Sequence, residues 1–204
     1  ADAGAIVAAD ADLPGASHVV APCADAARTV AMAVQALGGL DILVLSARPV
    51  KNRPIFDTPV DDIRRVAEED MIAPAALMLE AARHMSGAGF GRIVVLATMS
   101  AKTGVHHNVA PYAAAKAGLL AFARVLAAET AEHGVTVNGI ATSLFAPQVA
   151  TMTADKRDRL RAGVPVGRFG ESHEAAHAVL FLVAREGGYV TGECLNLSGG
   201  RFMD

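Results

Sequence analysis

Two side chains able to pass a proton stand four residues apart, Tyr112 and Lys116, in the run Pro-Tyr-Ala-Ala-Ala-Lys-Ala-Gly. On a helix that spacing puts both on one face, a turn from each other. An ammonium beside a phenol favours the phenolate, so the tyrosine becomes a usable acid or base nearer neutral pH. The pattern is common in helices, and its meaning depends on the elements that hold it. No rival site is visible. His106 and His107 are adjacent with no third ligand nearby, which predicts solvent-exposed histidines and no metal. Cys23 and Cys194 show neither metal nor redox spacing and fit reduced cytosolic thiols.

The 204 residues are expected to form one domain, 1–204, large enough for a substantial core. Apolar runs are broken by charge or proline well before membrane-spanning length, and no signal peptide is visible, so a cytoplasmic protein is expected. A net charge of -3 gives no reason to expect nucleic-acid binding. Short apolar runs at 5–8 and 18–21 precede a helix capped by Asp25 and closed by Gly38-Gly39. The nearly continuous apolar run 40–45 predicts a buried strand. An acidic first turn opens a helix at 58–62, and a long helix over 70–85 is expected to bend near Pro74. Strand 92–97, a polar loop over 98–110 and a helix over 111–132 follow, the helix carrying Tyr112 and Lys116. Next come strand 135–140, an irregular stretch 141–170 with a charged helix near 154–162, a helix over 172–184 and a last strand over 193–197. Strands alternating with helices predict a parallel sheet covered on both faces.

Several of these segments, in order, resemble the short-chain dehydrogenase/reductase superfamily. They are Gly39-Leu-Asp-Ile-Leu-Val44, Gly91-Arg-Ile-Val-Val95, the Tyr112–Lys116 helix, Gly134-Val-Thr-Val-Asn-Gly-Ile140, Val166-Gly-Arg-Phe-Gly-Glu171 and the ending Leu-Ser-Gly-Gly200. The resemblance spans roughly residues 39 to 204. It implies an α/β Rossmann-like doubly wound parallel sheet that binds NAD(P) at the carboxyl ends of its strands. It also implies a Ser-Tyr-Lys group, in which the Ser holds the substrate oxygen, the Tyr passes the proton and the Lys lowers the Tyr pKa. The family places its Ser about thirteen residues before the Tyr. That position here is Met99, and the neighbouring hydroxyls Thr98 and Ser100 are both candidates.

Elsewhere the sequence departs from the family. No G-x-x-x-G-x-G run occurs in the first 40 residues, Gly4 and Gly15 being isolated, so the N-terminal β-α-β unit reads as shortened. The run 5–10 is expected to be the first strand of the parallel sheet, which makes Asp10 a loop residue; taken as the family's second strand, it would make Asp10 a ribose ligand. Pro22-Cys23 stands where the family has the acid that meets adenine, and Arg48 where a Gly lets the cofactor approach. Asp70 stands where a helix Asn organises a water beside the Lys, and Thr142-Ser143 replaces Pro-Gly. These departures lead to the expectation of a non-catalytic chain that binds no cofactor. It would assemble, as a tetramer, with itself or with a homologous subunit that carries NAD(P), such as one acting on hydroxyacyl-CoA. The alternative is an active NAD(P)-dependent alcohol or ketone oxidoreductase using Tyr112 and Lys116. A lesser alternative, a cofactor-free lyase like the halohydrin dehalogenases, is opposed by Lys116, where those relatives carry Arg.

Overall fold

The computed structural model describes residues 4–8, 18–22, 25–46, 50, 52–104 and 106–203. Two sheets are present among them. Strands β1 (Gly4–Ala8) and β2 (His18–Pro22) pair antiparallel, with Ile6 opposite Val20. Strands β3 (Ile42–Leu45), β4 (Gly91–Thr98), β5 (Val135–Thr142) and β6 (Cys194–Leu197) form a parallel sheet in that spatial order. The expectation that 5–10 opens the parallel sheet is therefore corrected. The 9–17 connection is shorter than the dozen or so residues a parallel crossover needs, but long enough for an antiparallel return. Asp10, Gly15, Cys23 and Arg48 lie outside the described residues.

The helices around the parallel sheet follow the sequence closely where local chemistry sets their ends. Helix α1 (Ala26–Leu37) starts where the Asp25 carboxylate accepts the Arg28 backbone N–H at 3.0 Å, and it stops at Gly38, whose φ of +78° suits glycine. Helix α2 (Val60–Ala67) runs into a π-helical turn, Glu68–Ile72, and then into α3 (Ala73–Ala88). Beyond β4 come α4 (Met99–Thr103) and α5 (Ala110–Thr130), then β5, α6 (Ala146–Val149), α7 (Ala154–Ala162), α8 (Ser172–Val183) and β6. The polar stretch 98–110 is thus partly helical, because the Thr98 side chain caps α4.

Side chains of β4 point alternately to two covered faces, and its first five residues are all buried. Ile93 and Val95 pack with Met78, Ala81 and Met85 of α3 and with Leu119 and Ala123 of α5. Val94 points the other way, into a cluster with Ile140 of β5 and Leu182 of α8. Helices thus cover both faces, and the four strands end at one common edge. Helix α5 comes close to the sheet at Gly139. A Cβ there would stand 2.6 Å from Leu120 Cδ2 and 3.3 Å from Cys194 Sγ, so a larger residue would force Leu120 to shift. No helix among the described residues is long and apolar enough to cross a membrane.

Candidate active site

Pro111 sits in the first turn of α5, where its missing N–H leaves no helical bond unmade. The buried stripe of α5 then reads Tyr112, Ala115, Lys116, Leu119, Leu120 and Ala123, a helical period facing the sheet. Tyr112 is 8% exposed and Lys116 2% exposed. The Lys116 Nζ lies 5.7 Å from the centre of the Tyr112 ring. The i, i+4 relation read from the sequence is therefore realised, with both polar heads carried inward at the carboxyl ends of the strands.

A buried ammonium is costly unless an opposite charge meets it. Asp70 supplies one, with Oδ1 3.4 Å from Lys116 Nζ and both side chains almost wholly enclosed. That separation makes an ion pair, longer than the roughly 2.8 Å of a charge-assisted hydrogen bond. The π-helical turn brings the carboxylate there. Ala73 donates its N–H to the Glu68 carbonyl, five residues back, and Pro74 has no N–H to return to the Asp70 carbonyl. The widened turn lies against α5 where Gly118 leaves room for Met71. A Cβ on that glycine would stand 2.8 Å from the Met71 Sδ.

The two hydroxyls near the end of β4 have different employment. Thr98 Oγ1 accepts the Ser100 backbone N–H at 3.2 Å and so caps α4. The Ser100 hydroxyl has no such duty among the described residues. Helix α4 is held in turn by Lys102, whose Nζ donates to Asn196 Oδ1 at 2.7 Å and to the Cys194 carbonyl at 3.3 Å, both on β6. Thr98, Ser100, Tyr112, Thr142 and Ser143 line one cleft of about 620 Å³ above the ends of β4 and β5. Asn52, His106, Gln148, Met152 and Arg201 line the same cleft.

Of these, His106 departs from the expectation of an exposed histidine. Its ring packs edge-on against Phe202 at 5.4 Å, and its Nδ1 is buried without a hydrogen-bond partner. Burial first, then the positive charges of Arg201 and His107, hold its imidazole below the ordinary histidine value and so favour the neutral form. A second cavity of about 390 Å³ lies on the other side of Tyr112, lined by Arg53, Asp62, Arg65, Glu69 and Asp70. There Asp62 pairs with Arg53 at 3.2 Å and with Arg65 at 3.3 Å, and Glu69 pairs with Arg65 at 2.9 Å. Asp70 and Lys116 thus form their own pair beside a compensated network. No group of three or more metal-binding side chains occurs among the described residues.

The nearness of Asp70 to Lys116 was signalled in the sequence by the family position it occupies, beside the Lys, and its role as counter-ion emerges from the structure. His106, Gln148 and Arg201 carried no signal, being far apart in the chain until the fold gathers them.

Residues 8–201 match the family described as Enoyl-(Acyl carrier protein) reductase. The 3-oxoacyl-[acyl-carrier-protein] reductase FabG of Salmonella typhimurium is 34% identical over 167 residues, 81% of this chain and 68% of that protein. A 2-dehydro-3-deoxy-L-rhamnonate dehydrogenase (NAD(+)) of Sphingomonas is 33% identical over 192 residues, 91% of this chain and 77% of that protein. Among solved structures, a putative short-chain alcohol dehydrogenase from Sinorhizobium meliloti superimposes with a TM-score of 0.80 at 31% identity, covering 88% of this chain and 72% of that one. The chain belongs to the short-chain dehydrogenase/reductase family of oxidoreductases.

Membership at this level corrects the expectation of a chain that binds no cofactor. The similarity extends over the strand ends where this fold receives a dinucleotide, and one relative is named for its use of NAD(+). The local chemistry fits the nicotinamide end of such a group. A cleft of about 620 Å³, floored by Thr98, Thr142 and Ser143, opens beside Tyr112. Binding of a dinucleotide is spread over many contacts, so departures at single positions do not by themselves decide it.

Proposed function

We propose that the chain is an active NAD(P)-dependent oxidoreductase acting on an alcohol or ketone, with Tyr112 as the proton-transfer group. The observation that carries this reading is the placing of Tyr112 and Lys116. Both lie on the inner face of α5, and Tyr112 lines the same cleft as Ser100 at the carboxyl ends of the strands. In this reading Ser100 donates a hydrogen bond to the substrate oxygen, while Thr98 stays committed to capping α4. Tyr112 takes the hydroxyl proton as the carbonyl forms, or returns it in the reverse direction. Lys116 supplies the positive charge that favours the phenolate. The nicotinamide, when bound, supplies the hydride acceptor, so that an alcohol and NAD(P)+ give a carbonyl compound, NAD(P)H and a proton.

This reading replaces that of an inactive subunit serving a homologous partner, which rested on the loss of cofactor binding. The relatives are named as reductases and dehydrogenases, which supports catalysis by this chain as well. Assembly, in the same reading, is with itself. Leu180 and Phe181 of α8 and the nearby Tyr189 leave apolar surface for a second copy.

The test has two parts. Calorimetric titration of the purified chain with NAD+ and NADP+ is expected to show binding of at least one. Turnover of a panel of secondary alcohols is then expected to fall about 10²–10⁴-fold in Tyr112→Phe, the span of general acid-base catalysis. Failure of both dinucleotides to bind, or turnover untouched by Tyr112→Phe, overturns the reading.

A further inference from the structure

The distribution of charge around the cleft is one-sided. Of the residues lining it, Arg201 carries a full positive charge, and none is an aspartate or glutamate. Among the described residues no carboxylate lies within ion-pair distance of Arg201, whereas Arg53, Arg65 and Arg168 each hold one within 3.3 Å. The guanidinium instead lies 5.3 Å from the Phe202 ring. A partly enclosed arginine with no carboxylate partner among the described residues, in a cleft whose lining includes no acidic residue, favours a guest that brings the negative charge.

Its neighbours suit such a guest. His106 packs on the same Phe202 ring, and its buried Nδ1 has no hydrogen-bond partner among the described residues. In the neutral ring one nitrogen donates, so the imidazole can give a hydrogen bond to an oxygen lying beside the Arg201 guanidinium. Gln148 accepts the Phe145 N–H through Oε1 at 3.2 Å, which turns its amide NH₂ group into the remaining donor. A guanidinium, an imidazole and an amide donor therefore line the same cleft as Tyr112 and Ser100.

We propose that the substrate is a small hydroxy acid and the product its oxo acid, with the carboxylate received by Arg201. This rests on the oxidoreductase reading above. Tyr112 takes the hydroxyl proton and Arg201 holds the carboxylate, which stays unchanged; a nicotinamide, when bound, would supply the acceptor for the hydride leaving the hydroxyl carbon. A cationic alcohol meets only like charge in the cleft and is rejected. Arg201 selects and positions the substrate and takes no part in the bond changes.

The experiment compares hydroxy acids of three to seven carbons with their methyl esters, on the wild type, Arg201→Gln and Arg201→Lys. At least one acid is expected to exceed its ester by tenfold or more in kcat/KM. Arg201→Gln should lower the value for that acid at least tenfold more than for the ester, mainly through KM, and Arg201→Lys should restore part of the difference. Acid and ester used equally well by the wild type, or lowered equally by Arg201→Gln, overturn the proposal. If no member of either series is turned over, the oxidoreductase reading is what fails. The proposal is then decided by calorimetry with the same acids: binding that weakens at least tenfold in Arg201→Gln sustains it, and no binding to the wild type overturns it.

Discussion

Replacing Asp70 by Asn should make Tyr112 a stronger acid. The carboxylate lies 3.4 Å from Lys116 Nζ, and Nζ lies 5.7 Å from the centre of the phenol ring. Together these place the carboxylate within about 9 Å of the ring. At an effective dielectric constant of about 20, a unit negative charge at that distance opposes a phenolate by about 2 kcal/mol, a little over one pH unit. The other charged groups facing this region, Arg53, Asp62, Arg65 and Glu69, are paired among themselves and unchanged by the substitution. Across the cleft, Arg201 and His106 are likewise unchanged. Asp70→Asn leaves Lys116 its charge and removes the opposing one, so the phenolate is favoured and the midpoint falls by about one unit.

The assay is spectrophotometric. The chain has two tyrosines and no tryptophan, so a Tyr189→Phe background leaves Tyr112 as the sole phenol. Phenolate absorbance against pH, with and without Asp70→Asn, reads the midpoint directly and needs no substrate. Asp70→Glu keeps the charge and should stay close to the Asp70 protein. A midpoint in Asp70→Asn equal to that of the parent within about 0.3 unit, or higher, refutes the reasoning. The same shift should appear as a move of the acidic limb of the oxidation pH profile to lower pH.

Lys116→Met should cost stability, about 3–5 kcal/mol by denaturant unfolding, because it removes the ammonium that faces the buried Asp70 carboxylate. Gly139→Ala should cost about 1–3 kcal/mol in the same assay, since its Cβ meets Leu120 Cδ2 at 2.6 Å and Leu120 must shift. The folded-state value of His106 lies below the ordinary 6.5, so the unfolded chain takes up the proton first. Stability is therefore lost as pH falls below 6.5, and His106→Asn should lose less between pH 7.5 and 5 than the wild type. Glu174, bound by Arg168 at 2.7 and 2.8 Å and by the Glu171 N–H, is lowered from 4.5 to about 2. Glu174→Gln should lower the melting temperature at pH 7, with the difference fading as pH falls from 4.5 towards 2.

Local rules were enough for the parts of the fold whose partners are near in sequence. The Asp25 cap, the glycine stops at Gly38 and Gly134, and the apolar runs that became β4 and β5 all appear in the structure within a few residues of where the pattern puts them. The hairpin of β1 and β2 was legible as well, from the shortness of its connection, but family order argued for a parallel strand instead. Helix α4 was hidden because five residues carry no periodic signal, and only the cap at Thr98 marks it. The mistaken expectation about cofactor came from counting altered positions one at a time.

By itself the sequence determined that Tyr112 and Lys116 share a helix face, since i and i+4 fall together on any α-helix, and that alternating strands and helices would build a parallel sheet. Tertiary structure decided what surrounds that pair. The π-helical turn before Pro74 swings Asp70 against Lys116, and Gly139 lets α5 sink until both heads are buried. The lining of the cleft joins His106, Gln148 and Arg201, which lie up to 95 residues apart in the chain. Helical periodicity is set by backbone geometry within a turn. Charge compensation and the charge of a cleft depend on distances between distant segments, which exist only once the chain has packed.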